Sequence, residues 1–156
     1  MKTKELQTIW WEYLSTAERL LRSLHEQTAA IMLRDVERIE RLQPELESLL
    51  EQLVQVDEKA VACARKLTSE LNVPNNFKSL VEALDEGEAK SVHALANRVK
   101  ASAQTVQSVI EKNQNLIENE LAFVAGSLHL LAKIVENREG DYGIRTHAAV
   151  LIDQRT

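Results

Sequence analysis

Between Gly87 and Asn137, apolar residues recur at alternating steps of three and four, which is the spacing of one face of an α-helix. The mean step of about 3.6 residues follows a nearly straight helix rather than a strongly supercoiled one, about 75 Å long if unbroken. Such a helix is marginal alone and must pack its stripe against other elements. The stripe consists of Val92, Leu95, Val99, Ala103, Val106, Ile110, Asn113, Ile117, Leu121, Val124, Leu128, Leu131 and Val135.

The same spacing predicts two shorter helices earlier in the chain. The first runs from Lys4 to about Leu33, and Trp10 fits its stripe better than Trp11, which should flank it. The second starts near Pro44. The stripes are Leu6, Ile9 or Trp10, Tyr13, Ala17, Leu20, Leu24 and Ile31 in the first helix, and Leu46, Leu49, Leu53, Val56, Ala60, Cys63, Leu67 and Leu71 in the second.

The junction between these two helices contains a cap and a proline. Asp35 can accept hydrogen bonds from the first backbone N–H groups of a new helix. A proline costs about 3 kcal/mol inside a helix but almost nothing in its first turn. Residues 35–43 are therefore predicted to form a short helical turn, with Pro44 as the start or a kink of the second long helix.

A second junction precedes the last helix. Residues 72–76 contain three asparagines and Pro74. Both residue types commonly stop helices, so the second helix should end there. The apolar spacing of residues 77–84 predicts one short helix, and residues 85–87 break the chain again. The last helix is expected to close near residues 137–140.

These elements predict an all-α fold, in which an antiparallel hairpin of two long helices carries a longer C-terminal helix packed back on it as an elongated helical bundle or coiled coil. Residues 1–140 would form the bundle domain and residues 141–156 a flexible C-terminal tail. The hairpin is too short to cover the last helix, so residues 124–137 are expected to project beyond it. In the alternative, that helix bends at Gly126 or Asn113 and folds onto its own bundle.

Composition and charge narrow the possible functions. Nineteen basic residues against 24 acidic ones give a net charge of −5, which argues against a nucleic-acid-binding surface. No segment is apolar enough to serve as a signal peptide or to cross a membrane, and the single cysteine, Cys63, lies in a helix stripe as a small core residue. We expect a cytoplasmic protein.

The sequence offers little for catalysis. Its four histidines, His25, His93, His129 and His147, lie in separate segments without the Glu-x-x-His spacing of a di-metal bundle, and it has no phosphate-binding loop or nucleophile motif. We therefore expect no enzyme, no metal and no cofactor. A self-associating coiled-coil scaffold or adaptor, forming a homodimer, is the alternative to a protein that binds other partners.

Asn113 is the polar member of the long stripe. A buried amide is costly unless it finds hydrogen-bond partners, and it can then fix the register of packed helices. Asn115 should face away from the stripe. A structural role in register and a functional role are both open for this pair.

Three segments carry a resemblance to a known family. Leu33-Arg34-Asp35-Val36-Glu37-Arg38-Ile39 stands in place of a Gly-Asp-Leu-rich turn between two helices, with Arg34 where glycine is common. Asn113-Gln114-Asn115-Leu116-Ile117 lies in the last long helix, and Asp141-Tyr142-Gly143 follows that helix. On these residues the chain resembles the FlgN family of flagellar export chaperones over nearly its whole length.

This resemblance implies a cytoplasmic chaperone that binds the hook–filament junction proteins FlgK and FlgL and delivers them to the flagellar type III export apparatus. Family members hold the helical C-terminal segments of those substrates through their own C-terminal region. The tail would fold over the bound helix or contact the export apparatus. The residues expected to bind the substrate protein are Val124, Leu128, Leu131, Ile134, Val135, Tyr142, Gly143, Ile144, Val150, Leu151 and Ile152.

Overall fold

The computed structural model describes the backbone of residues 1–142 and the side chains of residues 1–138. All regular elements in this part of the chain are α-helices: α1 (Lys4–Met32), α2 (Val36–Glu70), α3 (Phe77–Glu82) and α4 (Glu86–Tyr142). The all-α prediction, with two long helices followed by a longer one, is confirmed. The chain divides into two compact units, one comprising Met1–Asn113 and one that begins at Gln114, and α4 contributes to both.

A tight turn joins α1 to α2. Arg34 has a φ angle of 54°, in the left-handed region that favours glycine. This conformation lets the Asp35 N–H donate to the carbonyl of Ala30, which closes the end of α1. The Asp35 side chain then accepts from the backbone N–H of Arg38 at 3.1 Å, so the predicted cap is confirmed.

The prediction of a separate helical turn before Pro44 is wrong, because α2 begins at Val36 and passes through the proline as one helix. Pro44 and Glu40 both lie on the exposed side of α2, where water can satisfy the Glu40 carbonyl that loses its amide donor. On the other side, buried Leu42 and half-buried Ile39 pack against the core. Their burial offsets the cost of a proline inside the helix.

The larger of two core clusters joins α1, α2 and α4. Leu20 of α1 belongs to this cluster and is 0% exposed, and Val106 is the buried member that α4 provides. Half-buried Val99 and Ile110 pack against the same cluster. The stripe residues of all three long helices thus face one another, as their periodicity predicts. The cluster consists of Tyr13, Ala17, Leu20, Leu24, Ala30, Leu42, Leu46, Leu49, Leu53, Val56 and Val106.

A smaller cluster lies where α3 packs. Leu80 is its α3 member, 2% exposed, and it joins Leu6, Ala60 and Leu67. Half-buried Trp10 packs against this cluster.

The second tryptophan of the adjacent pair lies outside this cluster. Trp11 is 51% exposed, and the guanidinium carbon of Arg98 lies 4.8 Å from its ring centroid. The predicted division between a packed Trp10 and a flanking Trp11 is confirmed.

The second junction also follows its sequence signals. Asn72 ends α2 with a φ angle of 54°, and the Asn76 side chain caps α3 by accepting from the Ser79 N–H at 2.8 Å. Asp85 accepts from the Glu88 N–H at 2.9 Å at the start of α4. At its other end α4 continues past the predicted close at residues 137–140, to Tyr142.

Two polar ties join α1 to α4, one near each end of α1. At the first, Thr3 donates to Glu88 Oε1 through its backbone N–H, at 2.6 Å, and through its hydroxyl. At the second, the Thr28 hydroxyl donates to Asn113 Oδ1 at 2.6 Å. Both pairs are 85 residues apart in sequence, so α1 and α4 run parallel and advance in step.

The first tie also caps α1. Thr3 is the N-cap residue and makes no side-chain capping bond of its own, so the buried Glu88 carboxylate supplies an acceptor from another helix. The hydrogen bond from the Thr3 hydroxyl has the largest effect on the pKa of Glu88 and lowers it, against the smaller opposing effect of desolvation.

Glu88→Gln should lower the stability of the folded protein at neutral pH and reduce its acid sensitivity. A carboxyl group with a lowered folded pKa contributes stability above its unfolded pKa, and this contribution is lost as pH falls through the folded pKa. Urea unfolding curves between about pH 7 and pH 3 should therefore converge for the two proteins toward acid.

Glu86→Gln is the matched control, because Glu86 is exposed and forms a surface ion pair with Lys90 one turn along α4. Its unfolding curves should follow the wild type at every pH. A constant offset between Glu88→Gln and wild type down to pH 3 would contradict the assigned role of the charge.

Candidate functional site

The unit that begins at Gln114 carries an exposed apolar surface on α4. The long stripe continues there as a first row of Leu121, Val124, Leu128, Leu131 and Val135. The first four are between 44% (Leu128) and 64% (Leu121) exposed, whereas Val135 is half-buried and its neighbour Ala132 is buried. Contiguous apolar exposure of this kind marks interaction surfaces.

The predicted substrate-binding residues fall into three groups. Val124, Leu128, Leu131 and Ile134 are exposed on α4, and Val135 beside them is half-buried. Tyr142 is the last residue of the described helix. The others lie outside the described residues: Gly143, Ile144, Val150, Leu151 and Ile152. A role in binding stays a prediction for the whole set.

Sequence reasoning missed a second row on the same helix. Phe123, Leu130 and Ile134 are separated by seven and four residues, which is a helical repeat of its own. Each is more than half exposed. Ile134 belongs to this row, because it follows Leu130 by four residues and lies about 100° around the helix from Val135. The spacing from Phe123 to Leu130 was the signal available in the sequence.

Asn113 ends the compact unit that contains α1, α2 and α3, and its side chain is 2% exposed. Its Nδ2 donates to the Leu24 carbonyl at 3.0 Å and to Gln27 Oε1 at 2.9 Å, while its Oδ1 accepts from the Thr28 hydroxyl. The buried amide therefore uses both N–H groups and its oxygen. Asn115, by contrast, is exposed.

This network favours one alignment of α4 on α1. A shift by one stripe position would place Ile110 or Ile117 against the buried side chains of Gln27 and Thr28 and would move Asn113 among apolar residues. Each buried polar group left without a partner costs about 1 to 3 kcal/mol. We propose that Asn113 is a register-fixing residue.

The helix passes through Gly126 without interruption. A Cβ atom added there would meet no other atom within 4 Å, so nothing in the packing requires glycine. Gly126→Ala should stabilise this part of α4 by about 0.5 to 1 kcal/mol, since glycine costs more backbone entropy than alanine in a helix.

Amide hydrogen exchange is the measurement for this substitution, because it reports local opening. Exchange of the surrounding amides should slow by about twofold to fivefold in Gly126→Ala. The neighbouring Ala125→Gly is the reverse control and should accelerate it by a similar factor. Faster exchange in Gly126→Ala would show that the glycine conformation matters.

The described residues do not form a recognisable catalytic site. Cys63 is half-buried rather than fully buried, and burial raises the pKa of its thiol, which keeps it protonated and a poor nucleophile. Residues 1–138 contain no cluster of three or more histidine, cysteine, aspartate or glutamate side chains that could hold a metal ion. No helix in the described part of the chain is long and apolar enough to cross a membrane.

Comparison with known families identifies the chain. The family model described as FlgN protein matches residues 1–144, which includes the bundle and both rows of α4. The chain belongs to the FlgN family. The comparisons found no matching curated protein and no matching solved structure.

FlgN membership accounts for the general class of function. FlgN proteins are flagellar export chaperones rather than enzymes, and they bind flagellar export substrates.

The turn in which Arg34 takes a left-handed conformation lies in the segment that resembles the Gly-Asp-Leu-rich turn of the FlgN family. Arg34 therefore occupies a backbone geometry in which glycine would be unstrained.

Proposed function

We propose that this FlgN chain is a cytoplasmic chaperone for the hook–filament junction proteins FlgK and FlgL, which holds their C-terminal helical segments until export. The observation that carries the proposal is a change along the apolar stripe of α4, which packs against other helices up to Asn113 but is exposed from Leu121 to Leu131, in the first row. An amphipathic substrate helix would cover it.

Burial of the first-row side chains can provide enough free energy to bind a substrate helix. Complete burial of a leucine or valine side chain contributes about 1.5 to 3 kcal/mol. In the free protein Val124, Leu128 and Leu131 are each about half exposed, so a bound helix could bury the remaining surface. Part of this gain is lost to the ordering of the substrate segment. The complex would therefore be stable in the cell yet releasable at the export apparatus.

The charges around the row suggest that association is mainly hydrophobic. Glu120 and Arg138 lie nearest the first row around α4, and Glu118, Lys133 and Glu136 lie farther around the helix, so both signs are present. Such a mixture produces little long-range attraction. Affinity for the substrate helix should consequently change little with salt concentration.

The C-terminal residues have a second role in the proposal. Tyr142, Gly143 and Ile144, followed by Val150, Leu151 and Ile152, would pack over the bound helix or meet a component of the export apparatus. Their apolar side chains follow α4 directly in sequence, so they can reach a helix docked on the first row.

Calorimetric titration of the full chain with the C-terminal helical segment of FlgK tests the proposal. The wild type should bind one-to-one, and Leu128→Asp/Leu131→Asp should reduce affinity by about 100-fold or more, because it places charges at the centre of the apolar contact. Ala122→Asp/His129→Asp is the matched control, since both residues are exposed on the opposite side of α4. It should bind like the wild type, and all proteins should keep their helical circular dichroism.

A substitution of Val150, Leu151 and Ile152 by serine in the full chain measures what the tail contributes. Failure of the wild type to bind, together with dimerisation that Leu128→Asp/Leu131→Asp abolishes, would reject the chaperone proposal. The self-associating scaffold would then be the better account of the exposed row.

A further inference from the structure

The two apolar rows on α4 lie side by side, separated by a narrow strip that contains Glu120 and Ser127. Successive residues are about 100° apart around a helix, so the first row covers an arc of about 80°. Leu130 and Ile134 of the second row extend the arc to about 180°. Both are more than 50% exposed.

The earlier part of α4 shows how wide an arc of its surface is covered when two helices pack against it. Within the unit Met1–Asn113, Val106 lies in a core cluster that contains residues of both α1 and α2. The buried and half-buried positions of α4 from Val92 to Asn113 cover an arc of about 140°. On this chain, therefore, an arc of that width is filled by two helices.

We propose that the partner presents two amphipathic helices side by side, one packed along the first row and the other along the second. The first row continues the stripe that α1 and α2 cover earlier in α4, so the partner repeats an interface that the bundle already uses. A single helix, packed along the first row, would leave Leu130 and Ile134 in water. The inference rests on the proposed chaperone function and specifies the form of its substrate.

The test uses two probes from FlgK, its final helix alone and its final two helices in one segment, titrated into the full chain. The two-helix segment should bind at least about tenfold more tightly. Leu130→Asp/Ile134→Asp should weaken binding of the two-helix segment about 30-fold or more and change binding of the single helix less than about threefold. Leu128→Asp/Leu131→Asp should weaken both probes.

Circular dichroism and the mass of the free chain are measured for each variant. All substituted positions are exposed, so helicity should be retained, and Ala122→Asp/His129→Asp again serves as control.

The inference is overturned if Leu130→Asp/Ile134→Asp binds the two-helix segment as the wild type does, or if that segment binds no more tightly than one helix. Tight binding of one helix through the first row alone would leave the chaperone function intact and reject only the second helix. Absence of binding by either probe would reject both. A free chain that dimerises until Leu130→Asp/Ile134→Asp is introduced would assign the second row to a second copy instead.

Discussion

Asn113→Asp should lower the free energy of unfolding of the unit Met1–Asn113 by about 3 to 5 kcal/mol at neutral pH. The two side chains have almost the same shape, but the carboxylate has no N–H group to donate to the Leu24 carbonyl and Gln27 Oε1. Gln27 can turn its amide to donate instead. The Leu24 carbonyl cannot, so the substitution sets a buried charge against it.

The effect should depend on pH in a defined direction. Burial beside a carbonyl raises the folded pKa of the new carboxyl group above its unfolded value, so its penalty is full above the folded pKa and shrinks as pH falls. Urea unfolding of the variant and the wild type at several pH values would show the difference narrowing toward acid.

Asn115→Asp is the matched control for this experiment. It makes the same chemical change two residues away, on the exposed side of α4, and should alter stability by less than about 0.5 kcal/mol. Equal effects of the two substitutions would show that the hydrogen bonds of Asn113 contribute nothing to stability.

Leu20→Ala should destabilise the same unit by about 3 kcal/mol, within the usual range of about 2 to 5 for a buried leucine. Leu20 is 0% exposed, and it packs in the cluster that joins α1, α2 and α4. Three helices would have to move together to fill the resulting cavity. The loss is a large part of the stability of a typical domain.

Tryptophan fluorescence in urea is a suitable measurement, because both tryptophans of the sequence, Trp10 and Trp11, lie in this unit. Leu130→Ala is the matched control: Leu130 is 63% exposed, and the substitution should leave the transition midpoint nearly unchanged. A shift as large as that of Leu20→Ala would mean that Leu130 is packed in the free protein.

The helices were predictable because one physical signal determines them. Leu20, Leu53 and Val106 lie on apolar stripes of helical period, and all three are buried in one cluster. The ends of α1 and α2 were predictable too, since Asp35 and Asn72 perform local roles that depend on their own side chains and backbone angles.

Other features depend on distant partners and carry no comparable local signal. The helical residues before Pro44 are stabilised by packing of Leu42 in the core, which outweighs the local effect of the proline. Similarly, the sequence around Glu88 suggests only an ordinary first-turn acid. Its hydrogen bond to Thr3 depends on the packing of α4 beside α1, which the residues around Glu88 do not reveal.

The candidate site was predictable to the extent that it continues a stripe. The first row follows from the same spacing that predicts α4, and its exposure was expected because the predicted hairpin is shorter than that helix. The second row has no comparable signal, because Phe123 and Leu130 lie off the dominant stripe of α4. Its three members are too few to stand out from chance without exposures.

The equal spacing of the two ties between α1 and α4 also restricts how the length of this protein can change. Inserting one residue into α1 between Thr3 and Thr28 would turn the helix by about 100° and break one tie, unless α4 gained a residue between Glu88 and Asn113. Insertions and deletions in these two segments should therefore occur in pairs. Neither tie involves α4 after Asn113, so a gain or loss of whole turns in this part of the helix, to match the length of a partner, would leave both ties in place.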